Sequence, residues 1–376
     1  MDLICFCLIF ALSALLFQSA YYREQYDEKF LSRIVLSGML LVIPAAIRSN
    51  DIGTDIAIYQ YPLFRYALNS SSISNYFVNA FVSDVESLYA LLVYIIAKVT
   101  GSINVLYFIE ECLIVYPVLY FIWYYRYKTE PGYVLLAYET LFYFDSYNIV
   151  RQWLAIAFGL VAFVNWQENK KMKAITLLVV STFLHKTAII MIAVIALYDI
   201  YIKMERGKFK YFLMASISGL TLYFSINYEM LITLVVQNVS FLRERYALSS
   251  YLYRERADFP VLFFLLWILF IYLLIVIHKG YPEDSFIGWN IMMLSISVLS
   301  VSFYSKANFV IRVLLYVQVF SIFAAGYCKK VVNNNIGSIG IYTTIYYILL
   351  SSVWIYNNYI NGVHRVFPYH TVWFAG

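Results

Sequence analysis

Apolar residues in this chain run in long unbroken blocks, separated by short clusters of charge. The blocks are Leu3–Ala20, Ile34–Ile47, Leu88–Val99, Ile103–Tyr125, Tyr133–Phe144, Ile149–Trp166 and Ala174–Ile202. They continue with Tyr211–Ile226, Pro260–Ile277, Ile287–Phe303, Phe309–Tyr327 and Ile339–Tyr356. Continuous runs near 20 residues predict helices that cross a bilayer, and alternation of period two, the mark of a membrane barrel, is missing. The pattern predicts an all-α polytopic membrane protein with roughly 11–13 crossings. Residues 1–376 read as one transmembrane domain with no separate soluble domain.

Several blocks carry informative interruptions. Asp2 rather than a basic cluster precedes the first block, so an uncleaved first helix is expected. Residues 56–86 are mixed, with amphipathic pieces at Tyr59–Leu68 and Tyr76–Val82 and a polar Asn69-Ser70-Ser71-Ser72. Ala174–Ile202 is too long for one ordinary crossing and has His185-Lys186 in its middle, which predicts a broken helix or hairpin.

Composition agrees with the blocks: 62% of the residues are hydrophobic and 13% charged, about half the charge of a soluble domain. The net charge of +5 suits basic cytoplasmic loops and gives no stripe for nucleic acid. By the positive-inside rule Arg23, Lys29, Arg33, Arg126, Lys128, Lys170, Lys171 and Lys173 face the cytoplasm. That places Arg48, Glu86, Arg151 and His185 at the outer side. The parity fails in one place: two blocks separate an outer Glu86 from an inner Arg126. Either one block is re-entrant or one flank is mis-sided. The 38 Tyr and 29 Phe supply interfacial belts, and Tyr faces also stack on sugar rings. The four Cys form no paired motif for zinc or disulfides.

The densest polar stretch is Arg48-Ser49-Asn50-Asp51-Ile52-Gly53-Thr54-Asp55, directly after an apolar block. Such a loop has to meet water, protein or a ligand. No P-loop, GxGxxG, HExxH or Ser-His-Asp signature accompanies it, so no cofactor, metal or nucleotide is expected. Arg at several embedded positions points to an anionic ligand, because guanidinium holds phosphate bidentately and stays charged when buried.

Each candidate has a plain structural reading beside the functional one. Arg48 and Asp55 are either phosphate and acceptor groups or an interfacial ion pair; Asp55 also fits an N-cap, and Gly53 a turn. Asp51 and Tyr59 belong to the same substrate-binding group. Arg151 requires an anion, whether Asp145, Glu139 or a ligand, and Gln152 is either a ligand contact or a packing hydrogen-bonder. His185 is a general base or a satisfied core histidine; His278, His364 and His370 lack comparable context. Glu86 is a base or a helix N-terminal acid. Glu110 and Glu111 are second candidates for the base, expected to pair with a cation such as Lys98. Arg243, Arg245, Arg254 and Arg256 either satisfy the positive-inside rule or handle a polyanion, with Tyr246, Tyr251 and Tyr253 available to stack on sugars.

Arg48-x-x-x-x-Gly53-Thr54-Asp55, then Tyr59, Glu86, Asn148-x-x-Arg151-Gln152-x-x-Ala155 and Phe183-x-His185 together resemble the EpsG family of membrane polysaccharide polymerases, the Wzy-type O-antigen or capsule polymerases. The ordered match covers about the first 200 residues; Arg312 and the tail ending Phe367-Pro368-Tyr369 carry it further. The resemblance implies a GT-C-like glycosyltransferase architecture at the outer, periplasmic face of the bacterial inner membrane. It implies transfer of a growing glycan from undecaprenyl diphosphate to a lipid-linked repeat unit. A chain-length regulator is a further partner it implies. Asp55, Glu86 and His185 are then the expected catalytic groups, and Arg48, Asp51, Tyr59, Arg151, Gln152, Arg312 and the Arg243–Arg256 set the expected diphosphate- and glycan-binding groups. Two other classes fit embedded Arg: a flippase, which would show paired interrupted halves, and a multi-pass acyltransferase, which would place its donor site on the cytoplasmic side.

Overall fold

In the computed structural model, residues 2–25, 29–204, 208–227, 261–300, 308–333 and 339–371 are described. They are helical throughout, with a single isolated β-bridge and no sheet among them. Arg243, Arg245, Arg254 and Arg256 lie outside the described residues, as do Tyr246, Tyr251 and Tyr253.

Two compact units emerge, residues 1–192 with 350–376, and residues 193–349. In the first, α1 (Asp2–Arg23) and α2 (Phe30–Ile47) form an antiparallel pair. The helix α7 (Ile103–Tyr124) packs on α2, α10 (Val150–Gln167) on α7, and α11 (Lys171–Leu184) on α10. Three of these, α1, α2 and α7, are long and apolar enough to cross a membrane by length and composition. The mixed stretch after residue 55 folds as short pieces: a π-helical turn at Ile56–Gln60, then α3 (Tyr61–Asn69), α4 (Ile73–Val78) and α5 (Ala80–Ser83). Ser72 caps α4, its hydroxyl accepting from the Asn75 amide at 3.1 Å. The helix α6 (Ser87–Thr100) ends at Gly101, whose φ of +65° gives the left-handed cap that glycine adopts without cost. Then α8 (Pro131–Leu141) breaks at Phe142 into the single turn α9 (Tyr143–Ser146). The long block predicted to be broken at His185 does break there: α11 stops, a 3-10 turn covers Lys186–Ala188, and α12 (Ile189–Lys203) follows.

The second unit contains α13 (Lys208–Ile226), α14 (Val261–Gly280), α15 (Ser285–Leu299), α16 (Asn308–Gln318), α17 (Phe323–Asn333) and most of α18 (Ile339–Trp354). Here α15 is central, packing on α13, α14 and α16. Trp289 at its middle is fully enclosed between Tyr198, Tyr201 and Phe320.

Polar contacts fix the two ends of the first unit. At one end Arg126 grips both oxygens of Glu24 at 2.6 and 2.8 Å, and Gln18 donates to Glu130 at 2.6 Å. At the other, Asn104 of α7 donates to the Ala46 carbonyl at 2.7 Å, and Tyr369 donates to the Pro44 carbonyl. These are two of the carbonyls that the C-terminus of α2 leaves without intrahelical partners. The parity conflict finds its answer here. Glu86, at the start of α6, contacts Arg151, while Asn104, just beyond its end, contacts the end of α2. Both termini of α6 therefore lie on the Arg48 side, and α7 alone connects that side with Arg126.

Candidate active site

The loop after α2 turns back on itself at Gly53, whose φ is +95°. A side chain there would bring Cβ within 2.3 Å of the Tyr147 carbonyl oxygen, so no other residue fits. This close approach seats Thr54 and Asp55 on the 145–148 turn. Thr54 donates its hydroxyl to Asn148 Oδ1 at 2.6 Å, and the Asp55 amide donates to the same oxygen at 2.9 Å. Asp55 stands where an N-cap would, but its side chain makes no capping bond, which corrects that reading. Asp51 is exposed.

Three turns of chain bring Glu86, Arg151 and His185 together. Arg151 Nη1 donates to Glu86 Oε2 at 2.7 Å, and His185 Nδ1 lies 3.9 Å from Glu86 Oε1. The Lys186 amide approaches the same oxygen at 3.5 Å. Each residue sits at a helix terminus: Glu86 before α6, Arg151 in the first turn of α10, His185 after α11. The Arg151 guanidinium carbon lies 5.9 Å from the Tyr59 ring centre and 6.0 Å from that of Tyr89. Side-chain exposure is 27% for Arg151, 21% for His185 and 9% for Glu86, so the cluster reaches the surface. The anion expected beside Arg151 is thus Glu86. Asp145 instead contacts His364 Nε2 at 2.8 Å, and Glu139 is fully buried without hydrogen-bond partners for its carboxylate oxygens. His364, which sequence context did not single out, therefore contacts Asp145 at this end.

Burial works against ionisation of Glu86, but the charges of Arg151 and His185 outweigh it and hold its carboxyl below the ordinary value. A depressed carboxyl contributes stability above its unfolded value, and that contribution is lost as pH falls through the lower folded value. The stability advantage of wild type over Glu86→Gln should therefore persist from about pH 8 to 5, growing as the histidine beside it gains charge, and then shrink in more acid solution. A difference that vanishes between about pH 7 and 6 would contradict this assignment.

Arg48 occupies a different environment. It is 1% exposed, with its guanidinium carbon 4.5 Å from the Tyr107 ring centre and 4.4 Å from that of Tyr147. Nε and Nη1 have no hydrogen-bond partner. The tail closes over it: Arg48 bridges to Thr371, and the Ser49 amide donates to the His370 carbonyl at 3.0 Å. Glu110 and Glu111 of α7 are within reach of its charge. Gln60 donates to Glu110, and Ser146 to Glu111 at 3.0 Å. Lys98, the cation expected for these acids, instead caps α3 through the Leu68 and Ser70 carbonyls at 3.0 and 2.6 Å. The expected pairing with Lys98 is thus not made, and the charge of Arg48 acts on both acids without forming an ion pair with either.

Gln152 is buried in the same turn as Arg151. Arg312 is exposed in α16, within the second unit. Sequence reasoning did not select Tyr89, Tyr107 or Tyr147, which among 38 tyrosines carry no local mark. Gln60 and Ser146 were equally silent.

A family model described as the EpsG family matches residues 33–371. No curated protein and no solved structure matches the chain.

Proposed function

The chain belongs to the EpsG family of polysaccharide-polymerase-like membrane proteins, and from that premise we propose that it joins lipid-linked glycans at the Glu86–Arg151–His185 cluster. The donor is a glycan on undecaprenyl diphosphate, and the acceptor is the non-reducing-end hydroxyl of a lipid-linked repeat unit. The cluster faces the periplasm, consistent with Arg126, Lys128, Lys170, Lys171 and Lys173 belonging to the opposite side of the membrane.

The observation that carries this reading is the convergence at one partly exposed spot of Glu86, Arg151 and His185, with Arg151 lying 65 residues after Glu86 in sequence and His185 further on still. In the reaction the acceptor oxygen attacks the anomeric carbon, the bond from that carbon to the diphosphate breaks, and the diphosphate leaves with both bonding electrons. The acceptor proton passes to Nδ1 of His185, the ring nitrogen that accepts from the Thr187 amide in the resting site, and the Glu86 carboxylate, 3.9 Å from Nδ1, stabilises the cation that forms. A guanidinium has five donors, more than its one contact with Glu86 uses, and Arg151 stabilises the departing negative charge. Energy comes from the sugar–diphosphate bond. Asp55 and Tyr59 orient the acceptor. Arg48, being enclosed, holds the loop and the tail in place. The GT-C-like architecture belongs to this same proposal.

Purified protein in proteoliposomes, given lipid-linked repeat unit, should convert it into a ladder of products that differ by one repeat. Translocation of labelled repeat unit without elongation would instead establish a flippase. Repeat units returned intact and untranslocated would refute both.

A further inference from the structure

Beside the cluster lies an open apolar groove of about 430 Å³. Its walls come from Phe77 of α4, Leu88 and Leu91 of α6, and Val179, Val180 and Phe183 of α11. Ser87, next to Glu86, is its sole polar wall residue. Two of the helices that build it end at the cluster. Glu86 immediately precedes α6, and His185 immediately follows α11. Leu88 and Phe183, each two residues from an ionisable group, form the near part of the groove; Leu91 and Val180, each five residues away, form the far part. Five residues of helix span about 7–8 Å.

A groove of apolar walls that opens at one end onto an arginine, a carboxylate and a histidine matches an amphiphile with a charged head and a greasy tail. We infer that this groove holds the phosphate-proximal part of the polyprenyl tail of the lipid-linked substrate. The identity of the occupant rests on the polymerase reading; the position of the groove does not. The tail would anchor the diphosphate beside Arg151, so that the lipid itself sets the depth and direction from which the anomeric carbon meets the acceptor. Positioning of this kind is where much of the rate of such a reaction originates. The groove volume is small against a whole long polyprenyl chain, so the remainder lies in the surrounding bilayer.

The test uses sugar-free undecaprenyl diphosphate as the probe, added to the full-length protein in phosphatidylcholine nanodiscs, with binding read by tryptophan fluorescence. Leu91→Trp and Val180→Trp fill the far groove from its open side without displacing core atoms. Each variant should melt as wild type does and bind the probe at least about tenfold more weakly. Excess dioleoyl phosphatidylglycerol should not displace the probe from wild type. Unchanged probe affinity in both folded variants overturns the inference, and so does displacement by phosphatidylglycerol, which would mark an ordinary lipid-facing surface. Failure of the polymerase reading looks different: the groove variants lose the probe as expected, yet wild type extends no repeat unit.

Discussion

Arg151→Ala should lower polymerisation by about 10²–10³-fold, the cost of removing one preorganised donor from a developing negative charge. The complication is the Glu86 contact at 2.7 Å, since removing one partner of a half-buried pair also destabilises the protein. A double variant separates the two effects. In Arg151→Met with Glu86→Leu neither charge is left alone, so much of the stability returns. Polymerisation should stay lost, because nothing then meets the diphosphate. Arg151→Lys should recover only a small part, being a point charge without the planar fork. The measurement is initial rate of ladder formation together with a thermal melt of each variant. If the double variant polymerises at the wild-type rate, the pair is a structural tie and the active site lies elsewhere.

Part of this geometry is legible in the chain itself. The break at His185 followed from a block too long for one crossing with a polar pair in its middle, and the helix does stop there. The end of α6 followed from the gap between the blocks Leu88–Val99 and Ile103–Tyr125. What stayed hidden is of two kinds. Long-range pairing was one: nothing in the sequence says that Arg151 meets Glu86 rather than the nearer Asp145, because the choice depends on how α6 and α11 pack. The other was the tyrosines. Tyr107 and Tyr147 enclose Arg48, but in a chain so rich in aromatics no spacing distinguishes a ring that stacks on a cation from one that packs in a core.

The path of α6 illustrates the same limit. An apolar run of its length reads as a crossing, and only the charge parity objected. The helix has 14 residues, about 21 Å, short of a hydrocarbon core of about 30 Å. With both termini near Arg48 it can present Leu88 and Leu91 to the groove while Tyr89, Ala90 and Val93 face inward. A helix committed to spanning would carry its first turn away from the site at once.

Arg48→Met should be the most destabilising single change at this end, by about 3–5 kcal/mol, the usual cost of stranding buried charge. The guanidinium charge acts on Glu110 and Glu111, two adjacent residues of α7 that place carboxyls inside an apolar helix. It also fills the gap between the Tyr107 and Tyr147 rings, contacts worth something beyond charge. With an unfolding entropy of about 2.1 cal/mol/K per residue, a chain of 376 residues should lose roughly 4–6 °C in melting point. The tail should loosen as well, since the Arg48–Thr371 bridge and the Ser49–His370 bond close it over the loop; limited proteolysis would then cut between residues 361 and 371. Adding Glu111→Gln to Arg48→Met should return part of the lost stability by removing one of the stranded acids. Arg48→Lys should rescue little, because an ammonium cannot lie flat between two rings. An Arg48→Met protein that melts like wild type and resists the protease would mean that the enclosed cation supports nothing here. Its two unpartnered nitrogens would then have to be explained by a ligand that reaches them.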